Sequence, residues 1–373
     1  MDDRPPRLFL PGPTEVAPEI LQEMARPALG HRTEECARLW AACRAGLRWL
    51  TRSHGEVLIL TGPATAMMEA AIRNCVERRV LHLVCGAFSQ RWREVSEACG
   101  READALEVPW GRGFRAAEVA RALAEARAEG RPYEAVALVH NETSTGVVNP
   151  LQEIAEVVRA EPGTLLLVDT VSSMGGLPVE VEAWGLDVCL FGMQKCLALP
   201  AGLAVAAVSE AALEKAGRVR HRGWLLDFLR LREANRKEQS PTTPSTAHLY
   251  ALAAQLRRIR EEGLEARWER HRALAERTRA WAREKGFRPF PEEGFRSDTV
   301  SCLERGDGPD FRPALARLRE KGWLISGGYG PLKDRSFRIG HLGDHRMEDL
   351  EALLAAFDEA LEETAAAGAG GGA

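Results

Sequence analysis

From about residue 56 to residue 208, short unbroken apolar runs alternate with stretches whose apolar positions recur every three or four residues. The runs at Glu56–Leu60, Val80–Cys85, Ala103–Val108, Ala135–His140, Thr164–Asp169, Asp187–Phe191 and Leu203–Val208 predict strands covered on both faces. Helical patterns fall between them, as at Ala116–Ala128 and Leu151–Ala160, and another precedes them at Glu34–Thr51. Such alternation specifies an α/β fold, with a mostly parallel seven-stranded sheet between two layers of helix.

A second pattern begins near Ala247. A long helical periodicity runs to Lys285 with a break at Gly263. Strand signals follow at Asp298–Leu303, Trp323–Ser326 and Ser336–Ile339, with helical ones at Arg312–Lys321 and Arg346–Leu361. These predict a small α+β domain at 263–364, after a large domain at 21–262. Pro5, Pro6, Pro11, Pro13 and Pro18 predict an extended arm over 1–20, and the Ala/Gly composition of 365–373 predicts a disordered tail. A length of 373 residues also favours two domains over one.

Charge and cysteine usage remove several function classes. The net charge is −4, and the basic residues are interleaved with acids, as in Arg257-Arg258-Ile259-Arg260-Glu261-Glu262, which argues against nucleic-acid binding. Eight cysteines with no C-x-x-C pair, mostly inside apolar stretches, read as reduced buried thiols. Neither a signal-like start nor an apolar run of membrane length is present, so the expectation is a soluble cytoplasmic protein.

Two of the predicted strands end in chemistry. Asp169 closes Leu165-Leu166-Leu167-Val168-Asp169, and Lys195 follows Phe191-Gly192-Met193-Gln194, so an acid and an amine emerge at one carboxyl sheet edge. A Lys after a strand is more often a surface charge, and a strand-ending Asp is as often a helix cap. The apolar Cys196-Leu197-Ala198-Leu199-Pro200 beside Lys195 changes the balance, because a dry site disfavours ammonium and leaves a nucleophilic amine. An amine and an acid so placed can hold an aldehyde-bearing pyridine cofactor such as pyridoxal phosphate. The turn Thr61-Gly62-Pro63-Ala64-Thr65 opens a helix, where free N–H groups bind phosphate, though plain strand-to-helix turns are common.

Two other motifs carry less. Gly111-Arg112-Gly113-Phe114-Arg115-Ala116 fits a loose dinucleotide fingerprint, but the next strand lacks the acidic end that such sites use. His341 and His345 straddle Gly343 in a loop, which argues against a metal pair.

With these residues in order, the chain resembles the class V aminotransferases of pyridoxal phosphate fold type I, and most of all the alanine–glyoxylate, serine–pyruvate and serine–glyoxylate group. The resemblance runs from Leu10-Pro11-Gly12-Pro13-Thr14 to Arg338-Ile339-Gly340. It is carried by His140-Asn141-Glu142-Thr143-Ser144-Thr145-Gly146, Val168-Asp169-Thr170-Val171-Ser172-Ser173 and Gly192-Met193-Gln194-Lys195. It implies that Lys195 is the Schiff-base lysine and proton shuttle, that Asp169 partners the pyridinium, and that Thr143 bonds the phenolic oxygen. Phe88 would stack on the ring face opposite Val171. Ala64, Thr65 and Gln194 would hold the phosphate, joined by Thr242 from a second subunit, so a homodimer is implied. Arg338 would grip the substrate carboxylate. The sequence departs from close relatives at Phe88, where Trp is common, and at Ala64, which replaces Gly.

The implied reaction is a ping-pong transfer of an amino group from alanine or serine to glyoxylate or pyruvate. Gly30-His31-Arg32 resembles the pair that contacts substrate phosphate in phosphoserine aminotransferases, which makes phosphoserine the alternative, with Lys333 and Arg335 as further cations. A desulfurase or lyase on the same fold is disfavoured, because the loop Ser326-Gly327-Gly328-Tyr329-Gly330 lacks a thiol.

Overall fold

The computed structural model describes residues 5–370. In chain order its strands are β1 (Arg7–Leu8), β2 (Glu56–Thr61), β3 (Arg79–Val84), β4 (Glu102–Glu107), β5 (Ala135–Val139), β6 (Asn141–Glu142) and β7 (Val147–Val148). They continue with β8 (Leu165–Asp169), β9 (Val188–Gly192), β10 (Leu203–Val208), β11 (Arg288–Pro289), β12 (Val300–Glu304), β13 (Trp323–Leu324), β14 (Ser326–Gly327) and β15 (Ser336–Gly340).

The large sheet has the order β2-β10-β9-β8-β5-β3-β4. Every neighbouring pair is parallel except the two made by β10, which runs against both β2 and β9. The other six strands therefore point their carboxyl ends the same way, and the turns after them share one edge. Within each strand successive side chains enter opposite cores. Val57, Ile59, Leu166, Val168 and Phe191 pack into one, whereas Leu58, Leu60, Leu165, Leu167 and Leu190 pack into the other. Burial on both faces is why these strands read as continuous apolar runs.

The chain then crosses through helices Thr246–Glu262 and Leu264–Glu284, which break at Gly263. Beyond them lies a four-stranded sheet, β11-β12-β15-β14. Trp281, Phe287, Phe311, Phe337 and Phe357 form its core.

Both ends of the chain depart from expectation. The N-terminal arm is partly packed: β1 pairs in parallel with β13, Phe9 is fully buried in the small core, and a helix starts at Pro18. Proline suits that first helical position, where its missing N–H costs nothing. The Ala/Gly end, expected to be disordered, instead continues the helix Met347–Gly370. Leu350, Leu353, Leu354 and Phe357 anchor that helix in the core, and the alanines after Thr364 propagate it at little cost. Residues 1–4 and 371–373 of the predicted arm and tail lie outside the described residues.

Candidate active site

The turns after β2, β3, β5, β8 and β9 surround one cleft at the carboxyl edge, where open α/β sheets bind ligands. Pro63, Ala64, Thr65, Phe88, Asn141, Thr143, Asp169, Val171, Ser172, Gln194 and Lys195 line it, with Gly12 and Pro13 from the N-terminal arm.

Lys195 and Asp169 are both buried. Burial depresses the Lys195 ammonium to about 8, against the pull of Asp169. Burial likewise raises the Asp169 carboxyl to about 7, although it accepts the Val171 N–H at 2.7 Å. For each group the loss of water outweighs the opposite charge of the other. Lys195 Nζ donates to the Pro11 carbonyl. Gly12, at φ +106°, lies so close over the lysine stem that a Cβ there would collide with it. The arm therefore covers the amine.

At the other end of the cleft, the helix Ala64–Cys75 begins without a side-chain cap at Pro63, which leaves its first N–H groups available to an anion. Between the two ends, Thr143 and Ser172 share a hydroxyl hydrogen bond of 2.6 Å. Asn141 donates to the Ser172 carbonyl at 2.9 Å, while its Oδ1 is buried without a partner.

Phe88 sits at the second position of helix Ala87–Ala98, and Glu142 fixes the start of that helix. Fully buried, Glu142 accepts the N–H groups of Phe88 at 3.1 Å and Ser89 at 2.9 Å through Oε2, and the N–H and hydroxyl of Ser144 at 3.1 and 2.6 Å through Oε1. A carboxylate there also favours the helix dipole. Gly86 is needed at the junction because a Cβ would overlap the Glu142 side chain. Glu142→Ala should cost about 3–5 kcal/mol, since it strands several buried donors. Urea unfolding of the cofactor-free protein measures this, and a loss below 1 kcal/mol (about the net worth of one hydrogen bond) would refute it.

Arg338, on β15, is buried beside the cleft and not among its lining residues. It donates to the carbonyls of Thr143 at 3.1 Å and Gly327 at 3.2 Å and to the Ser326 hydroxyl at 3.0 Å, and it faces the Tyr329 ring. No described carboxylate pairs with it. His31, Arg32 and Thr242 are not among the residues that line the cleft of their own chain. Arg32 donates to Gln239 at 2.9 Å and to the Ser240 carbonyl at 2.8 Å, so it is tied to the segment that carries Thr242.

The glycines of the loose dinucleotide fingerprint have a packing reason, because the Phe290 and Phe295 rings lie against Gly111 and Gly113. His341 bonds Ser301 and His345 stacks on Phe9.

Residues 16–287 match the family described as aminotransferase class-V. The chain belongs to the class V aminotransferases. It is 39% identical to an uncharacterized aminotransferase of Methanocaldococcus jannaschii, over 95% of this chain and 92% of the relative. It is 32% identical to a serine–glyoxylate aminotransferase of Methylorubrum extorquens, over 95% and 90%. Its fold superposes on the alanine–glyoxylate aminotransferase of Nostoc sp. with a TM-score of 0.90 at 32% identity, covering 97% and 96% of the two chains.

The aminotransferase is an enzyme dependent on pyridoxal phosphate, and the cleft residues fit that cofactor. A buried acid, a buried amine of depressed basicity, an uncapped helix start and the partnerless Asn141 Oδ1 are polar groups that call for a ligand carrying a cationic ring nitrogen, an aldehyde, an anion and a hydroxyl. Among the described residues no helix is long and apolar enough to cross a membrane.

Asn141, Glu142, Arg91 and Gly12 had no role assigned from sequence, although most lie inside the quoted motifs. Only Glu142 had a usable signal, an acid among small polar residues directly after an apolar strand.

Proposed function

We propose that the enzyme transfers an amino group from a small amino acid, alanine or serine, to a 2-oxo acid, glyoxylate or pyruvate, the two substrates using one site in ping-pong order. The observation that carries this reading is the buried Arg338 guanidinium, free of any described carboxylate, beside the cleft that holds Lys195 and Asp169. A planar fork so placed suits the α-carboxylate common to both substrates. The relatives whose names give serine–glyoxylate and alanine–glyoxylate exchange support the choice of substrates.

When bound, pyridoxal phosphate supplies the electron sink that acidifies the substrate α-carbon and carries the amino group between the two half-reactions. Asp169 would hold the ring nitrogen in its protonated form, and Thr143 would donate to the phenolic oxygen. Phe88 and Val171 would bound the ring, and Ala64, Thr65 and Gln194 would receive the phosphate. Lys195 Nζ would anchor the cofactor and, as a free amine, would move the α-proton as general base and then acid. The Pro11 carbonyl and Gly12 orient that amine and keep water from it.

We also propose a cytoplasmic homodimer in which the partner subunit's Thr242 completes the phosphate site. Thr242 does not line its own cleft, and its segment is tied to Arg32, which supports this arrangement. Phosphoserine is the second reading, favoured by a solvent-facing Arg32 that would travel with Thr242.

The test is turnover of alanine, serine and phosphoserine by the holoenzyme with glyoxylate, followed through glycine formation. Alanine or serine should exceed phosphoserine in kcat/KM. Preference for phosphoserine, lost in Arg32→Ala, would replace the first reading with the second.

A further inference from the structure

Among the described residues, the buried and half-buried arginines are in general paired with acids. Arg44 meets Glu238 at 2.7 Å, Arg267 meets Glu262 at 2.7 Å and Asp344 at 2.9 Å, and Arg279 meets Asp298 at 3.0 Å. Arg48, Arg101 and Arg296 are exceptions at other places, and two further exceptions flank one tyrosine. Arg338 lies 5.5 Å from the Tyr329 ring centre, and Arg91 reaches the Tyr329 hydroxyl at 3.4 Å.

Arg91 lines the cleft itself. Its guanidinium lies over the Phe88 ring at 5.0 Å, and that ring is tilted against Tyr329 at 5.8 Å. Phe88 is in turn held by Glu142. The guanidinium is thus fixed in orientation by stacking on one side and a hydroxyl on the other, and its remaining donors have no protein partner among the described residues. Among the described residues Asp169 is the one carboxylate lining the cleft, and it already accepts the Val171 N–H. A half-buried cation so held stabilises an incoming anion at little ordering cost.

We infer that Arg91 receives a second carboxylate, so that the substrate class extends to dicarboxylic amino acids and their 2-oxo acids. The inference rests on the reading above, in which Arg338 takes the α-carboxylate. Arg338 and Arg91, on either side of Tyr329, then form a pair of forks for the two ends of a molecule of aspartate's kind. A neutral donor such as alanine engages only the first fork.

The experiment compares aspartate with alanine as donor to glyoxylate, in the wild type and in Arg91→Ala and Arg91→Lys. The kcat/KM ratio of aspartate to alanine should fall about 10- to 100-fold in Arg91→Ala, the worth of one charged hydrogen-bonded contact. Arg91→Lys should restore part of it, because charge remains while the planar fork is lost. Competitive inhibition by succinate, against propionate as the one-carboxylate control, should weaken by a similar factor in Arg91→Ala and reports binding independently of turnover. An unchanged ratio overturns the inference, as does a loss of cofactor affinity in Arg91→Ala without a change in the ratio, which would assign Arg91 to the cofactor phosphate. A wild type that uses neither donor would instead overturn the substrate reading on which the inference rests.

Discussion

Lys195→Ala is expected to lose at least about 10⁴-fold in turnover, the upper range for a positioned proton-transfer group. The variant should also lose covalent attachment of the cofactor. Lys195 is a buried amine on the edge that carries Asp169, and its ammonium is depressed to about 8 chiefly by desolvation. Borohydride reduction followed by denaturation should leave cofactor on the wild type and none on the variant. Added methylamine should recover part of the turnover by supplying a mobile amine. The same depressed basicity sets a pH dependence. Only the neutral amine attacks an aldehyde, so covalent capture by the cofactor-free wild type should rise about tenfold per pH unit below 8 and level off above it. A midpoint near 10.5, the ordinary lysine value, would show that the amine is solvated and the site reading wrong.

The large domain was legible because its strands are buried twice over. Leu165-Leu166-Leu167-Val168 sends alternate side chains into two cores, and no polar residue interrupts the run. The direction of β10 was not legible. Its run Leu203–Val208 has the composition of a parallel strand, and only the short return from β9 turns it around. Local composition also misled at the two ends. The prolines of the arm do not prevent Arg7 and Leu8 from pairing with Trp323 and Leu324, and the final alanines extend a helix that the core has already nucleated.

The cleft was legible to the extent that its residues end strands. Asp169, Lys195, Thr143 and the Ala64–Thr65 turn all follow apolar runs, and the sheet gathers them at one edge. What no single segment contains is contact across segments. Glu142 matters because it reaches Phe88 and Ser144 together, and Gly12 because it lies on a lysine 183 positions later. Arg91 looks like any exposed helical arginine until Phe88 and Tyr329 are seen to hold it. The same limit applies to Arg32, whose partners Gln239 and Ser240 lie more than 200 residues away.

Asp169→Asn carries the second large effect. In the cofactor-free protein the carboxyl is raised to about 7 because burial outweighs its bond to the Val171 N–H. A protonated ring nitrogen opposite it would reverse that penalty, since each charge then replaces the water the other has lost. Removing one member of a buried ion pair costs about 3–5 kcal/mol, and the amide can no longer hold the ring nitrogen protonated. Turnover should therefore fall by about two to four powers of ten, with the variant still folded because asparagine keeps the acceptor for Val171. Cofactor affinity gives a test that does not depend on turnover. In the wild type the Asp169 carboxyl must lose a proton to pair with a protonated ring nitrogen, so affinity should fall as pH drops below about 7. In Asp169→Asn that carboxyl is gone, and the fall should be shallower. Equal slopes in the two proteins would mean that the Asp169 carboxylate does not face the ring.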